Sequence, residues 1–405
     1  MYLTNEEEKI LKGEYGPGLA LAMELLVKLG EVFDADRLIP VKMAHWGLSG
    51  QEGDLAFAEE LAEGGAKVRV STTTNPAWDY ELVNVFKPEL NEHEIELVKR
   101  TYDVCEKLGV TKSFSCIPIY GIEERVKYGD HLAFSESSTP PYINSIIGAR
   151  TNRESSASAL AAAIIGKTPN YGLHLDENRL PNVEVEVDFE PDDFDFGMLG
   201  VYLGNLLSPK DIPLIKGLKR MPSFEALRDF GAMLNVSGTT AMYHLYGLTP
   251  EIVKLEKEGR VPDKLQRISV EKKEIDELKE KLRQKRGPIN SVFMGCPHST
   301  YAEILKVNEL LGNRKVSKNV SFIICTSSYI YDRLKKEGVY DQLEKKGVSV
   351  IKDTCVDEPV FKKLEGMLGA TNSYKAYYYR QRRNQELAVM PLKDVVEAAV
   401  KGRND

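Results

Sequence analysis

The run Ile289 to Met294 reads as a short buried strand that stops at Gly295, and a helical pattern follows from Thr300 to Leu311. This strand–turn–helix unit recurs along the chain and constrains the fold more than any other feature. A strand followed by a helix returns to a parallel neighbour, because a parallel pair needs a crossover long enough to hold the helix. In the first third the strands are Pro40 to Ala44, Lys67 to Ser71, Ser113 to Cys116 and His131 to Phe134. Helical patterns run from Asp54 to Ala62, from Glu92 to Leu108 and from Ser155 to Ile165. In the last third, Val320 to Cys325, Val348 to Lys352 and Leu387 to Met390 are further strands. The middle differs. Val183 to Phe189 alternates strictly, as a half-exposed strand does, and Phe196 to Leu207 reads as a helix whose small residues allow close packing. Ile268 to Arg286 reads as a charged helix at a domain boundary. The expected architecture is α/β, with parallel sheets flanked by helices and the site at strand carboxyl tips between domains. Its expected segments are 1–168, 169–286 and 287–405.

At 405 residues the chain exceeds the roughly 250–300 at which one core divides, so more than one domain is expected. No apolar run approaches the roughly 20 residues a membrane helix needs. The N-terminus lacks the basic region and apolar core of a signal peptide. A net charge of −7 argues against a nucleic-acid partner. Five cysteines, an odd number without a secretory signal, point to a reducing compartment, the cytoplasm.

Ligands of open parallel sheets gather outside the strands' carboxyl tips, so the tips are where chemistry is sought. Cys116, Cys296 and Cys355 each end or follow a strand run. Together they could ligate a metal, although the Cys-x-x-Cys pairs usual in zinc and ferredoxin-type sites are absent. The alternative is three unrelated thiols. Cys105 lies on the apolar stripe of a helix and reads as core. Cys325 reads as core or pocket wall. The loop Gly47-Leu48-Ser49-Gly50 could cradle an anion with backbone amides, or be an ordinary turn. Asn75-Pro76 and Ser135-Glu136-Ser137-Ser138 occupy two more tips, as ligand groups or as helix caps. Arg150 and Arg153 could clamp an anion or brace the fold. His298 is a ligand, an acid or a cap. Asn372 to Arg380 mixes Lys375 with clustered tyrosines and reads as a pocket or interface wall.

Phe114-Ser-Cys-Ile-Pro118, Ser135-Glu-Ser-Ser138, Asn144 to Asn152, Met294-Gly-Cys-Pro-His298, Asp353-Thr-Cys355 and Ser373-Tyr-Lys375 occur here in this order. Together they resemble the aconitase X family, over nearly the whole chain, and its archaeal branch most closely. The resemblance implies an aconitase-like hydro-lyase. That branch dehydrates (R)-5-phosphomevalonate to trans-anhydromevalonate 5-phosphate in the archaeal mevalonate route to isoprenoids. It implies a [4Fe-4S] cluster on Cys116, Cys296 and Cys355, with Cys105 and Cys325 outside it. It also implies a separate small subunit that carries a swivelling domain and supplies a serine as proton acceptor, so no catalytic acid or base is assigned within this chain. The expected substrate contacts are Gly47, Leu48, Ser49, Asn75, Pro76, Glu136, Ser137 and Lys375, with Arg150 a secondary candidate. Two alternatives stand beside this reading: a cis-3-hydroxyproline dehydratase-like member of the family, and a non-catalytic small-molecule or RNA-binding protein that keeps the fold.

Overall fold

A computed structural model of the chain describes residues 1–48, 52–79, 81–82 and 90–405. Three parallel sheets follow one another along the sequence. In the first, Met43–Trp46 lies between Ser71–Thr74 and Ala133–Phe134, with Trp46 opposite Thr74 and His45 opposite Phe134. The second has four strands in the order His244–Leu245, Pro213–Lys216, Val183–Val187, Gln266–Val270. The third has five, ordered Val348–Lys352, Ser321–Thr326, Ser291–Met294, Leu368–Thr371, Glu386–Val389. Among the described residues no helix is long and apolar enough to cross a membrane.

The strand order fixes where ligands can enter. In the third sheet the chain steps outward from Ser291–Met294 to one edge, then crosses back and builds Leu368–Thr371 on the other side. The helical connections therefore leave in opposite directions from the carboxyl end of Ser291–Met294 and open a crevice there. The first sheet does the same around Met43–Trp46. Its strand tips carry Gly47-Leu48, Asn75-Pro76 and Ser135-Glu136. Those of the third carry Cys296 and, just past Leu368–Thr371, Ser373 and Lys375. A bridge between Ala77 and Thr354 ties the two rims.

The second sheet supports this arrangement from the side. Its helices Asp193–Leu206 and Phe224–Gly238 pack closely because glycines line the contact. A Cβ on Gly200 would lie 2.6 Å from the Phe230 carbonyl oxygen, and one on Gly238 2.1 Å from that of Gly204. The small residues of Phe196 to Leu207 thus serve the close packing their spacing predicts.

Four local expectations are corrected. Ser113 to Cys116 is not a strand: it runs irregularly beside Ser71–Thr74, held by the Ser115 N–H on the Thr74 carbonyl at 3.0 Å, and Phe114 has φ +39°. In the first parallel sheet the strands are Met43–Trp46 rather than Pro40 to Ala44 and Ser71–Thr74 rather than Lys67 to Ser71; Leu38–Pro40 pairs instead with Lys167–Pro169 in an antiparallel ladder. Ile268 to Arg286 is not one helix. Gln266–Val270 is the edge strand of the second sheet, and the helix starts at Lys272 and ends at Arg283.

Candidate active site

A cavity of about 560 Å³ opens where the rims of the first and third sheets meet. Its wall includes Cys116, Cys296, Cys355, Leu48, Asn75, Pro76, Glu136 and Lys375. Groups more than two hundred residues apart in sequence are thus brought to one place. Gly47 and Ser137 stand beside this wall rather than in it. The Gly47 N–H donates to Ser135 Oγ at 2.5 Å, and Ser137 Oγ to Glu136 Oε1 at 3.3 Å. Ser49 lies outside the described residues. Arg150 does not reach the cavity: it donates to the His174 carbonyl at 2.7 Å and pairs with Asp176, which makes it a brace. Arg153 likewise donates to the Thr239 carbonyl.

The cysteines are held in two ways, Cys296 by its turn and Cys116 and Cys355 by backbone N–H groups on sulfur. Cys296 follows Gly295, whose φ is +98° and whose added Cβ would lie 2.1 Å from the Cys325 carbonyl oxygen. Only glycine fits that conformation and that approach. Ser373 caps the helix Tyr374–Gln381 by accepting the Ala376 N–H at 3.1 Å, and its hydroxyl also donates to the Cys296 carbonyl. One residue therefore couples the Cys296 turn to the helix that carries Lys375. Cys116 Sγ accepts the His298 N–H at 3.1 Å, and Cys355 Sγ accepts that of Asp357 at 3.5 Å. Burial pushes the Cys116 thiol up to about 12, and raises those of Cys296 and Cys355 as well. Arg228, from the second sheet's helix, steadies the loop after Cys296. It donates to the His298 carbonyl at 3.2 Å and pairs with Glu303 at 2.8 Å. His298 is buried; its Nε2 lies 3.1 Å from the Thr354 carbonyl, and its Nδ1 has no partner among the described residues. It braces the loop rather than lining the cavity.

Opposite the thiols is an ion pair. Lys375 Nζ lies 2.5 Å from Glu136 Oε1, and Lys375 is only 4% exposed. Glu136 also accepts the Asn75 side-chain amide at 3.0 Å and the Ser138 N–H at 3.2 Å. Burial alone would raise its pKa, but the Lys375 charge and these hydrogen bonds outweigh that and hold it at about 2. Behind it stands His45, which the sequence reading passed over. Its ring bridges Thr73 Oγ1 and Asn75 Oδ1, each at 2.8 Å. Burial lowers its pKa to about 4, so the ring is neutral. Because the Asn75 amide nitrogen is spent on Glu136, its oxygen faces His45 and must accept; Nε2 therefore carries the proton and Nδ1 accepts from Thr73. The relay Thr73–His45–Asn75–Glu136 fixes the carboxylate from behind. No sequence signal marked it, because Thr73 stands opposite His45 only once their two strands are in register.

The remaining wall mixes apolar groups, Trp78, Leu97 and Val98, with Asp357, Glu358, Tyr379, Arg382 and Arg383. Glu358 accepts the Trp78 indole N–H, and burial raises its pKa to about 8. Among the described residues no three histidine, cysteine or carboxylate groups converge as chelators of a single ion.

Sequence models of the first, second and third domains of aconitase X match residues 1–177, 181–280 and 289–401. The phosphomevalonate dehydratase large subunit of Thermococcus kodakarensis is 40% identical, over 94% of this chain and 95% of its own. The cis-3-hydroxy-L-proline dehydratase of Pseudomonas aeruginosa is 31% identical, over 98% of this chain and 70% of its own. A crystal structure of Thermococcus kodakaraensis aconitase X in its holo-form superposes with a TM-score of 0.87 at 35% identity, covering 98% of this chain and 100% of that one. The chain belongs to the aconitase X family, and it is an enzyme of the dehydratase (hydro-lyase) class.

Proposed function

We propose that this chain is the large subunit of a dehydratase that removes water from (R)-5-phosphomevalonate, giving trans-anhydromevalonate 5-phosphate in the mevalonate pathway, with an iron–sulfur cluster on Cys116, Cys296 and Cys355. The observation that carries the reading is the convergence of three thiols, Cys116 and Cys296 buried and Cys355 half-buried, and the Glu136–Lys375 pair on one cavity between two sheet rims. The large-subunit relatives support the substrate and a small-subunit partner.

The donor set fits a polynuclear cluster better than a lone ion. A cluster asks each thiolate to bind its own metal atom, so the sulfurs ring a void instead of meeting at a point. Two of the three sulfurs already accept backbone N–H groups, which stabilise a thiolate. The thiols' raised pKa values mean that a cation must replace the proton in each. When bound, such a group supplies a Lewis acid for a hydroxyl that leaves poorly on its own.

The chain's own residues do the rest. Glu136, ionised at neutral pH, accepts a hydrogen bond from a substrate hydroxyl and sets its orientation. Asn75, locked by His45, keeps Glu136 from turning toward Lys375 alone. Lys375 offsets the carboxylate's charge, so an anionic substrate can approach it. The Leu48, Pro76, Trp78 and Val98 wall displaces water and strengthens each of these interactions. The proton acceptor is a serine of the small subunit's swivelling domain.

The test is to co-purify the chain with its small subunit without oxygen, then measure iron, sulfide and visible absorption. Turnover is followed with phosphomevalonate and with cis-3-hydroxy-L-proline. Iron with sulfide and dehydration of phosphomevalonate are expected. Turnover of hydroxyproline instead would move the reading to the other branch, and iron-free protein that binds RNA would end it.

A further inference from the structure

The helix Tyr374–Gln381 and its C-cap Arg382 present Lys375, Tyr379 and Arg382 at spacings of four and three residues, and all three line the cavity. From Lys375 to Arg382 the helix rises about 10 Å. Charge pairing around the wall singles out one of these cations. Glu136 is paired with Lys375, Asp357 with Arg383, Glu52 with Arg100 and Glu94 with Lys362. Glu358 is engaged by the Trp78 indole. Lys375 and Arg383 are therefore committed, whereas no carboxylate among the described residues forms an ion pair with Arg382. Its side chain is nevertheless positioned. Nη2 donates to the Tyr378 hydroxyl at 3.3 Å, and the guanidinium lies 5.1 Å from the Tyr378 ring centre and 5.4 Å from that of Tyr379. Cation–π contact with two rings set at 85° to each other, together with the hydroxyl, holds the guanidinium and leaves its other N–H groups for a tetrahedral oxyanion.

We propose that Arg382, held against the rings of Tyr378 and Tyr379, is the anchor of a phosphoryl-binding subsite two helical turns from Lys375. The inference rests on the dehydratase reading above and deepens it. A substrate with a hydroxyl for Glu136 and a phosphoryl group at the far end of a short carbon chain spans the stripe from the Glu136–Lys375 pair to Arg382. A cyclic amino acid without a phosphoryl group leaves the Arg382 end unused, so this arginine separates the two substrate classes.

The test uses the assembled, anaerobically loaded two-subunit enzyme with Arg382→Gln and Arg382→Lys. The KM for (R)-5-phosphomevalonate is expected to rise about ten- to a hundredfold in Arg382→Gln, the loss expected for a charge-assisted hydrogen bond, with a smaller fall in kcat. Arg382→Lys, which keeps the charge but loses the fork, falls between. Inorganic phosphate, titrated by calorimetry, is expected to bind the wild type and to bind Arg382→Gln at least tenfold more weakly. If the complex does not turn over phosphomevalonate but phosphate binding still depends on Arg382, the substrate assignment falls and the subsite stands. If Arg382→Gln binds phosphate and substrate as the wild type does, or if the wild type binds no phosphate and KM is unchanged, the subsite is overturned.

Discussion

Replacing Lys375 by methionine removes one charge from a nearly dry pair and leaves the Glu136 carboxylate facing apolar groups and thiols. Two routes give the cost. The pKa of Glu136 is about 2 in the folded chain against an ordinary 4.5, so its ionised form contributes about 3 kcal/mol at neutral pH. Breaking a buried pair by deleting one partner costs about 3–5 kcal/mol by general experience. The sign with pH follows from the depressed value. The contribution is full above pH 4.5 and is lost as pH falls through that value toward 2. In Lys375→Met the Glu136 pKa rises above its ordinary value, so this acid-side loss disappears. The double variant Glu136→Gln/Lys375→Met leaves no buried charge and should be more stable than Lys375→Met alone. Urea unfolding at pH 7 and pH 3.5 is measured on the wild type, Glu136→Gln, Lys375→Met and the double variant. The fluorescence of Trp46, adjacent to His45, and Trp78, in the cavity wall, reports on this region. Additive effects of the two substitutions, or an unchanged acid-side slope in Lys375→Met, would refute the argument.

Other outcomes follow from the same geometry. His45→Phe leaves Thr73 and Asn75 without their shared partner and should cost about 2–5 kcal/mol at pH 7. His45 titrates near 4 when folded and 6.5 when not, so its contribution is present above 6.5 and lost as pH falls toward 4. The wild type therefore gives up about 2 kcal/mol between pH 7 and pH 5 that the variant does not, and the gap between their urea midpoints narrows. Gly295→Ala forces a Cβ onto the Cys325 carbonyl at a left-handed φ, and should destabilise by roughly 3–5 kcal/mol in thermal unfolding. Serine at Cys116, Cys296 or Cys355 should abolish iron retention measured by colorimetric assay, whereas Cys105→Ala, far inside the first domain's core, should retain it.

The parallel sheets were legible because buried strands and amphipathic helices alternate plainly at both ends of the chain. The strand Leu368–Thr371 was not, because Gly369 must stay bare: a Cβ there would lie 2.5 Å from Ser291 Oγ. The edge strand Gln266–Val270 was absorbed into the charged helix that follows because four of its five residues are not buried, so no apolar alternation marks it. Among the site groups, the cysteines stood out only through short motifs in fixed order, since their spacing carries no chelate pattern. The partners of Glu136 were half visible. Asn75 and Lys375 sit in recognisable motifs, while His45 falls just past the expected strand Pro40 to Ala44 and reads as the first residue of a loop until its neighbours across the ladder are known. Arg382 was passed over because it is an exposed arginine just beyond a helix, and nothing in the sequence places it on the cavity wall against Tyr378 and Tyr379.

Cys116 lies on the N-terminal side of the four-stranded sheet, and Cys296 and Cys355 lie beyond it. Any group that binds all three closes the polypeptide into a ring with the whole second domain strung on it. A protease cut within that domain would then leave two fragments still tied to each other at the thiols, and removing the tie would let them part.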